Sequence, residues 1–431
     1  GAVLQGGGRD PDSLPEVSRS AGAGMRAAAA IPAIVLLLAT TGPSKADSLS
    51  FETIEKGRYL AVVGDCVACH TQPGGQPFAG GLPLPTPFGT IYAPNITPDR
   101  ETGIGDWTDD EFVATMHEGL GRDGAHLYPA MPYPAYTKAT RDDALAIRAY
   151  LATIAPVKHA VVANQLPFPF GMRFNMRVWN LLNFTPGRFR PDPGKSAQWN
   201  RGAYLAQGLA HCGSCHTPKT FLGADKDDRY LQGAVLQDWL APDITPDSRK
   251  GIGAWSEDEI VQYLRTGANA WSVASGPMAE EITNSSSHMT GDDLHAIAAY
   301  LKDSGAPTSE GSSERVAESD PQFTAGQAIY KDSCAACHLD SGAGAAQLFP
   351  RLAGSAIVQS DDPTTLIRMV LQGSRGAGTG DAPTSPAMPG LGWRLADDEV
   401  ASVVTYIRNA WGNAAPAATA REVSDLRDRL R

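Results

Sequence analysis

The sequence predicts an all-α fold built from three small helical domains in tandem. Three observations lead to this prediction. The motif C-x-x-C-H occurs three times at domain spacing, as CVACH from Cys66, CGSCH from Cys212 and CAACH from Cys334. The residues around the first two motifs repeat each other closely, and those around the third repeat more distantly. No copy shows sustained period-2 alternation of apolar residues, so strands are expected to be few.

Length and composition agree with several folded domains. The 431 residues correspond to three domains at about 150 residues each. A hydrophobic content of 42% with 19% charged residues is that of an ordinary globular protein and excludes a disordered one. The formal net charge of -11 argues against a nucleic-acid partner, which requires a basic surface.

The first residues are predicted to be an export signal. Met25 and Arg26 begin a short basic start, the apolar stretch AAAAIPAIVLLLATTG follows, and SKA provides small residues for cleavage. The apolar stretch is short for a membrane span, and an uncleaved N-terminal anchor is the alternative. Residues 1–46 are therefore assigned to upstream residues plus the signal, and the mature protein is expected to begin near Asp47, outside the cytoplasm.

Each copy is predicted to have the same order of elements. A helix precedes C-x-x-C-H, a Gly/Pro-rich loop follows, and then come a mid-domain helix, a loop with a methionine and a final amphipathic helix. The mid-domain helices open with Thr, Ser or Asp and early acidic residues, as an N-cap requires. These helices are TDDEFVATMHEGL, SEDEIVQYLRTGA and DPTTLIRMVLQGS, and the final helices are RDDALAIRAYLATI, GDDLHAIAAYLKD and ADDEVASVVTYIRNAW.

Composition sets the predicted boundaries. The stretch between the first two domains is rich in Pro, Phe, Asn and Arg, is too apolar for a free linker, and is expected to pack between them. The stretch before the third domain is polar and is expected to be flexible. The tail is expected to be a short solvated helix with no apolar anchor. The predicted domains are residues 48–160, 199–304 and 321–412, with a connector at 161–198, a linker at 305–320 and a tail at 413–431.

The C-x-x-C-H motifs contain all six cysteines. Four interpretations are considered: a zinc site, a redox dithiol, a disulfide and an attachment site for haem. A zinc site needs four ligands, usually as two pairs, and each motif offers only two thiolates and one imidazole. A redox dithiol favours a βαβ context, and a disulfide leaves the adjacent histidine unexplained. C-x-x-C-H is the attachment pattern for haem c, in which two thiols add to the porphyrin vinyl groups and the histidine binds iron.

Three covalent haems c are therefore predicted, and export agrees with this because such attachment takes place outside the cytoplasm. The predicted covalent positions are Cys66, Cys69, Cys212, Cys215, Cys334 and Cys337. The predicted proximal iron ligands are His70, His216 and His338.

A methionine before each final helix is predicted to be the second axial ligand. Met131 lies in PAMPYPAY and Met388 in SPAMPGLG, where the following proline keeps the backbone extended. Met278 in SGPMAEE is the corresponding residue of the second copy, and Met289 is its competitor. Repeat alignment places Met289 opposite Ala139, which favours Met278.

The other methionines and histidines have simpler interpretations. Met116 and Met369 lie within mid-domain helices and are expected to pack in cores. His117 follows Met116 on the same helix. The histidines expected at the solvated surface are His126, His159, His211, His288 and His295.

His/Met ligation raises the reduction potential of a haem and fills its sixth position. Substrate is then unable to bind the iron, so the prediction is electron transfer through a relay of three centres and not catalysis by the chain alone. The alternatives are a free periplasmic multihaem shuttle and a self-contained haem enzyme, which would need an open iron.

The stretches FGTIYAPNITPD, GIGDWTDDEF, APDITPD and GIGAWSEDEI resemble the trihaem cytochrome c subunit of periplasmic, membrane-associated dehydrogenases over roughly residues 48–412. The resemblance implies three class I cytochrome c domains, each wrapped round one covalent haem c. It also implies a catalytic partner subunit of the pyrroloquinoline quinone, flavin or molybdenum type, with a small third subunit in some complexes. Its substrate would be an alcohol, sugar, sugar acid or aldehyde.

Electrons would then pass to ubiquinone or a terminal oxidase at the outer face of the cytoplasmic membrane. Some relatives attach through a C-terminal apolar segment, which this sequence does not show, so a partner or an amphipathic surface is expected to provide attachment. Similarity to small c-type cytochromes further implies that the carbonyl of Pro350, in FPRLAG, accepts a hydrogen bond from His338.

Overall fold

A computed structural model describes residues 50–304 and 315–431 of the chain. The predicted export signal, residues 1–46, lies outside the described residues, as do residues 305–314 of the predicted linker. We refer to residues 50–160, 197–304 and 315–431 as the first, second and third segments. Among the residues that the structure describes, no helix is both long and apolar enough to cross a membrane.

The first segment contains five helices and one hairpin, and the connector adds a sixth helix. The helices of the first segment are α1 (Phe51–Val63), α2 (Cys66–Cys69), α3 (Asp109–Glu118), α4 (Tyr133–Tyr136) and α5 (Arg141–Leu151). The hairpin pairs β1 (Pro83–Thr86) with β2 (Gly89–Tyr92), and the connector helix is α6 (Phe174–Asn183).

The second segment repeats this order. Its helices are α7 (Ala197–Gln207), α8 (Cys212–His216), α9 (Glu257–Thr266), α10 (Pro277–Asn284) and α11 (Gly291–Lys302), and its hairpin pairs β3 (Gln232–Leu236) with β4 (Trp239–Asp243). Short 3-10 helices lie at Asp227–Arg229 and Ser286–His288.

The third segment begins in the same way, and it has one more helix after the counterpart of α5 and α11. Its elements are α12 (Pro321–Ser333), α13 (Ala335–His338), α14 (Ala356–Gln359), α15 (Thr364–Gln372), β5 (Gly373–Arg375), β6 (Ala387–Pro389), α16 (Asp397–Asn409) and α17 (Ala420–Arg429), with β5 and β6 paired. The described chain is thus largely helical with three two-stranded hairpins, and the expectation of few strands is confirmed.

The predicted helix starts are set by capping. Thr108 and Ser256 each accept a hydrogen bond from the third residue of the following helix, and the glutamate at that position bonds back, as in a capping box. In the third copy the predicted Asp cap is displaced by one residue. Pro363 is the N-cap of α15, and Asp362 accepts from the Thr364 amide at 2.7 Å.

The first and last long helices of each segment pack against each other at a glycine, in the pairs α1–α5, α7–α11 and α12–α16. A Cβ atom at Gly57 or Gly202 would lie 1.8 Å from a carbonyl oxygen of the facing helix. At Gly326 the corresponding distance is 2.0 Å. Since a Cβ atom does not fit at these distances, only glycine permits the close crossing. The three glycines begin GRYLA, GAYLA and GQAIY in the sequence.

The first and second segments share one hydrophobic core and meet through two equivalent tyrosine–aspartate contacts. The Tyr59 hydroxyl donates to Asp293 Oδ2 at 2.6 Å across the boundary. In the opposite direction, the Tyr204 hydroxyl donates to Asp143 Oδ2. Each segment supplies the same donor and acceptor to the other, so the two segments pack with approximate two-fold symmetry.

Each of these aspartates also binds a basic residue of its own segment. Lys56 Nζ lies 2.6 Å from Asp143 Oδ1, and Arg201 makes two hydrogen bonds of 2.8 Å to the carboxylate of Asp293. Burial acts to raise the pKa of Asp293, but the hydrogen bonds from Arg201 and Tyr59 outweigh it and hold the pKa below its usual value. The boundary between the segments is therefore a charge-assisted network at neutral pH.

Replacing both Tyr59 and Tyr204 by phenylalanine is expected to destabilise the protein by about 3 kcal/mol or more, because each change removes a hydrogen bond to a carboxylate worth about 1.5–3 kcal/mol. Chemical denaturation measures the free energy of unfolding. Because the pKa of Asp293 is lower in the folded state, this contribution is present at neutral pH and lost as the pH falls. The difference in stability between the wild type and the double variant should therefore become smaller in acid.

The control for the tyrosine pair is Tyr150→Phe. The Tyr150 hydroxyl has no hydrogen bond among the described residues, so this change should leave stability within about 0.5 kcal/mol of wild type. An equal loss in the control and in the double variant would show that the inter-segment hydrogen bonds contribute nothing.

The C-terminal tail belongs to the core of the third segment, and the prediction of a solvated helix without an apolar anchor is wrong. Val423 and Leu426 of α17 are fully buried, and Arg427 donates to the carbonyls of Gly392 and Leu395. The two apolar residues lie three apart on one face of an otherwise charged helix. A single pair of this kind gives only a weak sequence signal, although it suffices to anchor the helix.

The linker and the connector both pack onto neighbouring segments. Arg315 and Val316, in the described part of the predicted linker, hydrogen-bond to Asn409 of α16, so this part is not a free linker. In the connector, Trp179 packs against residues of the first and second segments and donates from Nε1 to Leu222 O at 2.9 Å. The expectation that the connector packs between the two segments is confirmed.

Candidate functional site

Each C-x-x-C-H motif forms a single helical turn directly after the first long helix of its segment. In the first two segments the residue before the motif is in the left-handed region, with φ 46° at Asp65 and φ 36° at His211. In the third, Cys334 is the N-cap of α13 and has a negative φ of -123°. Each motif therefore presents two thiols and one imidazole from five consecutive residues.

The six cysteines are all free, and none forms a disulfide. Burial raises the pKa of Cys66 and Cys212 to about 12 and that of Cys334 to about 11. A reactive dithiol needs a lowered pKa, so the raised pKa of these thiols argues against a redox couple of the thioredoxin type. Within residues 50–304 and 315–431, no group of three or more His, Cys, Asp and Glu is arranged to hold a metal ion.

The three motif histidines make the same hydrogen bond to a prolyl carbonyl. His70 Nδ1 lies 2.7 Å from Pro94 O, His216 Nδ1 lies 2.7 Å from Pro242 O, and His338 Nδ1 lies 3.0 Å from Pro350 O. A carbonyl oxygen only accepts, so Nδ1 carries the proton and Nε2 carries the lone pair that binds a metal.

Burial also lowers the pKa of each of the three motif histidines, which keeps each imidazole neutral. The predicted bond from His338 to Pro350 is confirmed. The equivalent carbonyls of Pro94 and Pro242 were not predicted, although both lie in the repeated stretches APNITPD and APDITPD.

The loop after each motif carries the prolyl carbonyl to the histidine. In the first segment Gly80 N donates to His70 O at 2.7 Å, and in the third Gly344 N donates to His338 O at 3.1 Å. Both glycines have positive φ, and a Cβ atom on either would lie within 2.7 Å of backbone atoms at the proline. Glycine is required here because the loop backbone crosses directly beside the histidine.

The three predicted distal methionines are half-buried, and each packs against a core of its region. Met131 precedes α4 and packs against the core shared by the first two segments, and Met388 lies on β6 against the core of the third. Met278 lies in the first turn of α10, so the expectation of a loop there is wrong. Gly276 has φ 56° and Pro277 occupies the first helical position, which together start a helix at this point.

The competing residues lie mostly in the interior. Met289 and Met116 are each only 5% exposed, as expected of core residues. His117 is buried in α3, and burial lowers its pKa to about 4. His211 is not a solvated surface residue, because its ring lies 5.7 Å from that of Tyr136 and burial lowers its pKa to about 4. His288 is exposed, as predicted.

The motif turn of the first segment adjoins the methionine helix of the second. Helix α10 packs against α2, and Ser285 Oγ donates to Val63 O at 3.3 Å. The Tyr136 hydroxyl, beside His211, donates to Gly64 O at 3.1 Å. Met278 of helix α10 also belongs to a small apolar cluster that includes Ala377 of the third segment. The Met278 region therefore contacts both of the other segments.

Comparison with known proteins agrees with this geometry. The sequence profile of the family described as Cytochrome c matches residues 54–155 and 323–411. The gluconate 2-dehydrogenase cytochrome c subunit of Pantoea cypripedii is 42% identical over 88% of this chain and 91% of its own length. The alcohol dehydrogenase (quinone) cytochrome c subunit of Gluconobacter oxydans is 38% identical, over 92% of this chain and 86% of its own.

A third relative is the fructose dehydrogenase cytochrome subunit of Gluconobacter japonicus, with 36% identity over 93% of this chain and 89% of its own length. The chain belongs to this family of cytochrome c subunits. As a cytochrome c subunit, it transfers electrons and is not the catalytic component.

Cytochromes c hold haem through covalent bonds, and the residues of this cytochrome c subunit fit that group. Each motif offers two free thiols on one turn beside a neutral histidine with a lone pair on Nε2. When bound, haem c supplies a centre for one-electron transfer. The chain contributes the covalent anchors and orients each imidazole through a prolyl carbonyl. The partial burial of the site also influences the reduction potential of the haem.

Proposed function

We propose that this cytochrome c subunit carries three haems c and relays electrons from a partner dehydrogenase subunit to ubiquinone or the respiratory chain. The observation that carries the proposal is the His Nδ1–prolyl carbonyl bond, which occurs in all three segments. The family profile matches only the first and third, and the middle segment has the same bond, the same helix order and the same glycine crossing.

The proposed roles follow the sequence assignment. The paired cysteines of each motif, from Cys66 to Cys337, hold the haems covalently, and His70, His216 and His338 are the proximal ligands. Met131, Met278 and Met388 are the distal ligands. With both axial positions filled, each haem exchanges electrons and has no open site for substrate.

The second centre is proposed to be the middle of the relay. Helix α10, which carries Met278, contacts the first motif turn on one side, and its apolar cluster reaches Ala377 of the third segment on the other. This arrangement supports electron passage between the first and third centres through the second.

The partner is proposed to be a catalytic subunit that oxidises an alcohol, a sugar, a sugar acid or an aldehyde. The relatives are named as cytochrome subunits of gluconate, alcohol and fructose dehydrogenases, which act on such substrates. The complex is placed by this proposal at the periplasmic face of the cytoplasmic membrane, with pyrroloquinoline quinone, flavin or molybdenum in the partner.

The first test is the haem content of the purified chain. We expect three covalent haems per chain, measured as the reduced pyridine complex against protein concentration. Replacing Cys212 and Cys215 together by alanine should reduce the content to two while the other haems stay attached. A content of two in the unaltered chain would refute the three-centre relay.

The second test concerns the partner. Co-expression with a dehydrogenase catalytic subunit of the same organism should give a stable complex in which substrate reduces the haems and a ubiquinone analogue reoxidises them. Reduction of the haems by substrate in the isolated chain would contradict the assignment to an electron-transfer subunit. Absence of a stable complex would favour a free periplasmic shuttle.

A further inference from the structure

The connector helix α6 presents its apolar side to the outside. Phe174, Val178, Leu181 and Leu182 follow the i, i+4, i+7, i+8 spacing of one helical face, and all four are exposed, Leu181 to 84%. A helix on a globular protein normally turns such a face to the core. The opposite face is held in place by Trp179, which is 7% exposed and hydrogen-bonded to Leu222 O.

Neighbouring residues extend this face into a larger apolar area. Phe168 is 86% and Phe221 89% exposed, on either side of α6 in the chain. Phe170 packs on Phe88 with ring centroids 5.0 Å apart. We call Phe168, Phe174, Val178, Leu181, Leu182 and Phe221 the connector patch. Single exposed apolar residues are common, but a patch of this kind marks an interaction surface.

The charge around the connector patch is opposite to that of the whole chain. Residues 144–191 contain six Lys or Arg and no Asp or Glu, in a chain of net charge -11. Arg173, Arg177 and Arg190 are exposed, and none forms an ion pair with a carboxylate within the described part of the chain. Arg173 is held beside the patch, 4.2 Å from the Tyr128 ring and 3.0 Å from His126 O.

We propose that the connector patch is seated in the surface of an anionic phospholipid membrane. An outward apolar face flanked by arginines is the pattern of a helix that lies in the membrane interface, where the apolar side chains enter the acyl boundary and the arginines bind lipid phosphates. Helix α6 has ten residues and is about 15 Å long, half of the ~30 Å hydrocarbon thickness, so it lies in the plane of the surface.

This inference rests on the proposed function, in which the relay ends at the membrane. It adds the surface that makes the contact. It also accounts for a connector that is both packed on its inner side and apolar on its outer side, because the inner contacts of Trp179 fix the orientation of the exposed stripe.

The test is the binding of the haem-loaded full chain to vesicles, measured by co-sedimentation. Vesicles of phosphatidylglycerol and phosphatidylethanolamine should bind the chain, and phosphatidylcholine vesicles should bind it at least about tenfold more weakly. The double variant Phe174→Ser/Leu181→Ser should lose at least about tenfold in partition because it removes apolar area from the face. Arg173→Gln/Arg177→Gln should remove most of the preference for anionic lipid.

The matched control is Trp393→Ser, which removes a side chain that is 84% exposed on the third segment, outside the connector patch. It should bind vesicles as the unaltered chain does. Haem absorption spectra of all variants verify that the fold is kept.

Three results would overturn the proposal: no binding of the unaltered chain to anionic vesicles, equal loss in Trp393→Ser, or unchanged vesicle binding in Phe174→Ser/Leu181→Ser. If that double variant instead loses only its complex with the dehydrogenase subunit, the connector patch is a protein interface. Failure of the complex in the unaltered chain, with vesicle binding intact, would refute the proposed function and leave the membrane surface standing.

Discussion

Replacing Met278 by alanine is expected to abolish the sulfur-to-iron charge-transfer absorption of one haem and to lower its reduction potential, because a thioether ligand raises the potential. The haem should stay attached, since Cys212 and Cys215 hold it independently of the axial sulfur. The folded state should lose little stability, because Met278 is only half-buried in a small cluster.

Met289→Ala is expected to behave in the opposite way. Met289 is 5% exposed in the core shared by the first two segments, so its truncation should cost about 2–5 kcal/mol of stability. Its charge-transfer absorption should equal that of the unaltered chain. The two variants are distinguished by absorption spectra of the oxidised protein, by a redox titration and by denaturant unfolding. Loss of the absorption in Met289→Ala and its retention in Met278→Ala would reverse the ligand assignment.

Replacing Gly202 by alanine is expected to destabilise the protein by about 3 kcal/mol. The new Cβ atom would lie 1.8 Å from the carbonyl oxygen of Ala296, so α7 and α11 must move apart. Helix propensity alone would make alanine more stable than glycine by about 1 kcal/mol in a helix interior. The expected loss of stability therefore comes from the close contact between α7 and α11. Denaturant unfolding followed by circular dichroism gives the magnitude.

Gly291→Ala is the matched control for the helix crossing. Gly291 begins α11, the helix that faces Gly202, and a Cβ atom there would meet only the end of the Arg265 side chain at 3.4 Å. This variant should be as stable as the unaltered chain or slightly more stable. A Gly202→Ala protein of unchanged stability would mean that the two helices separate at no cost, contrary to the close packing.

Local patterns were sufficient for part of the site. The bond between His338 and Pro350 was implied by the similarity of FPRLAG to small c-type cytochromes, and its acceptor lies only 12 residues from the histidine. Pro94 and Pro242 make the same bond from 24 and 26 residues away, across a hairpin. A longer loop brings together residues that no local spacing connects, so these two acceptors appeared only in the folded chain.

Prediction was less accurate where a few long-range contacts decide the outcome. The tail helix has two apolar residues among charged ones, and its burial depends on the space that the third segment leaves for Val423 and Leu426. The helix at Met278 depends on Gly276 and Pro277, whose effect is to start a turn in a stretch read as a loop. In both cases the sequence pattern gives only a weak signal, although the interaction determines the structure of the folded chain.

The sequence by itself determined the helical class, the repeat, the three C-x-x-C-H motifs and the resemblance to cytochrome c subunits, because these depend on residue type and short spacing. Only the tertiary structure decided how the parts meet. It showed the reciprocal Tyr59–Asp293 and Tyr204–Asp143 contacts, the contact of the Met278 helix with the first motif turn, and the outward apolar face of α6. Such arrangements depend on residues far apart in the chain, whose pairing is set by packing after the local elements have formed.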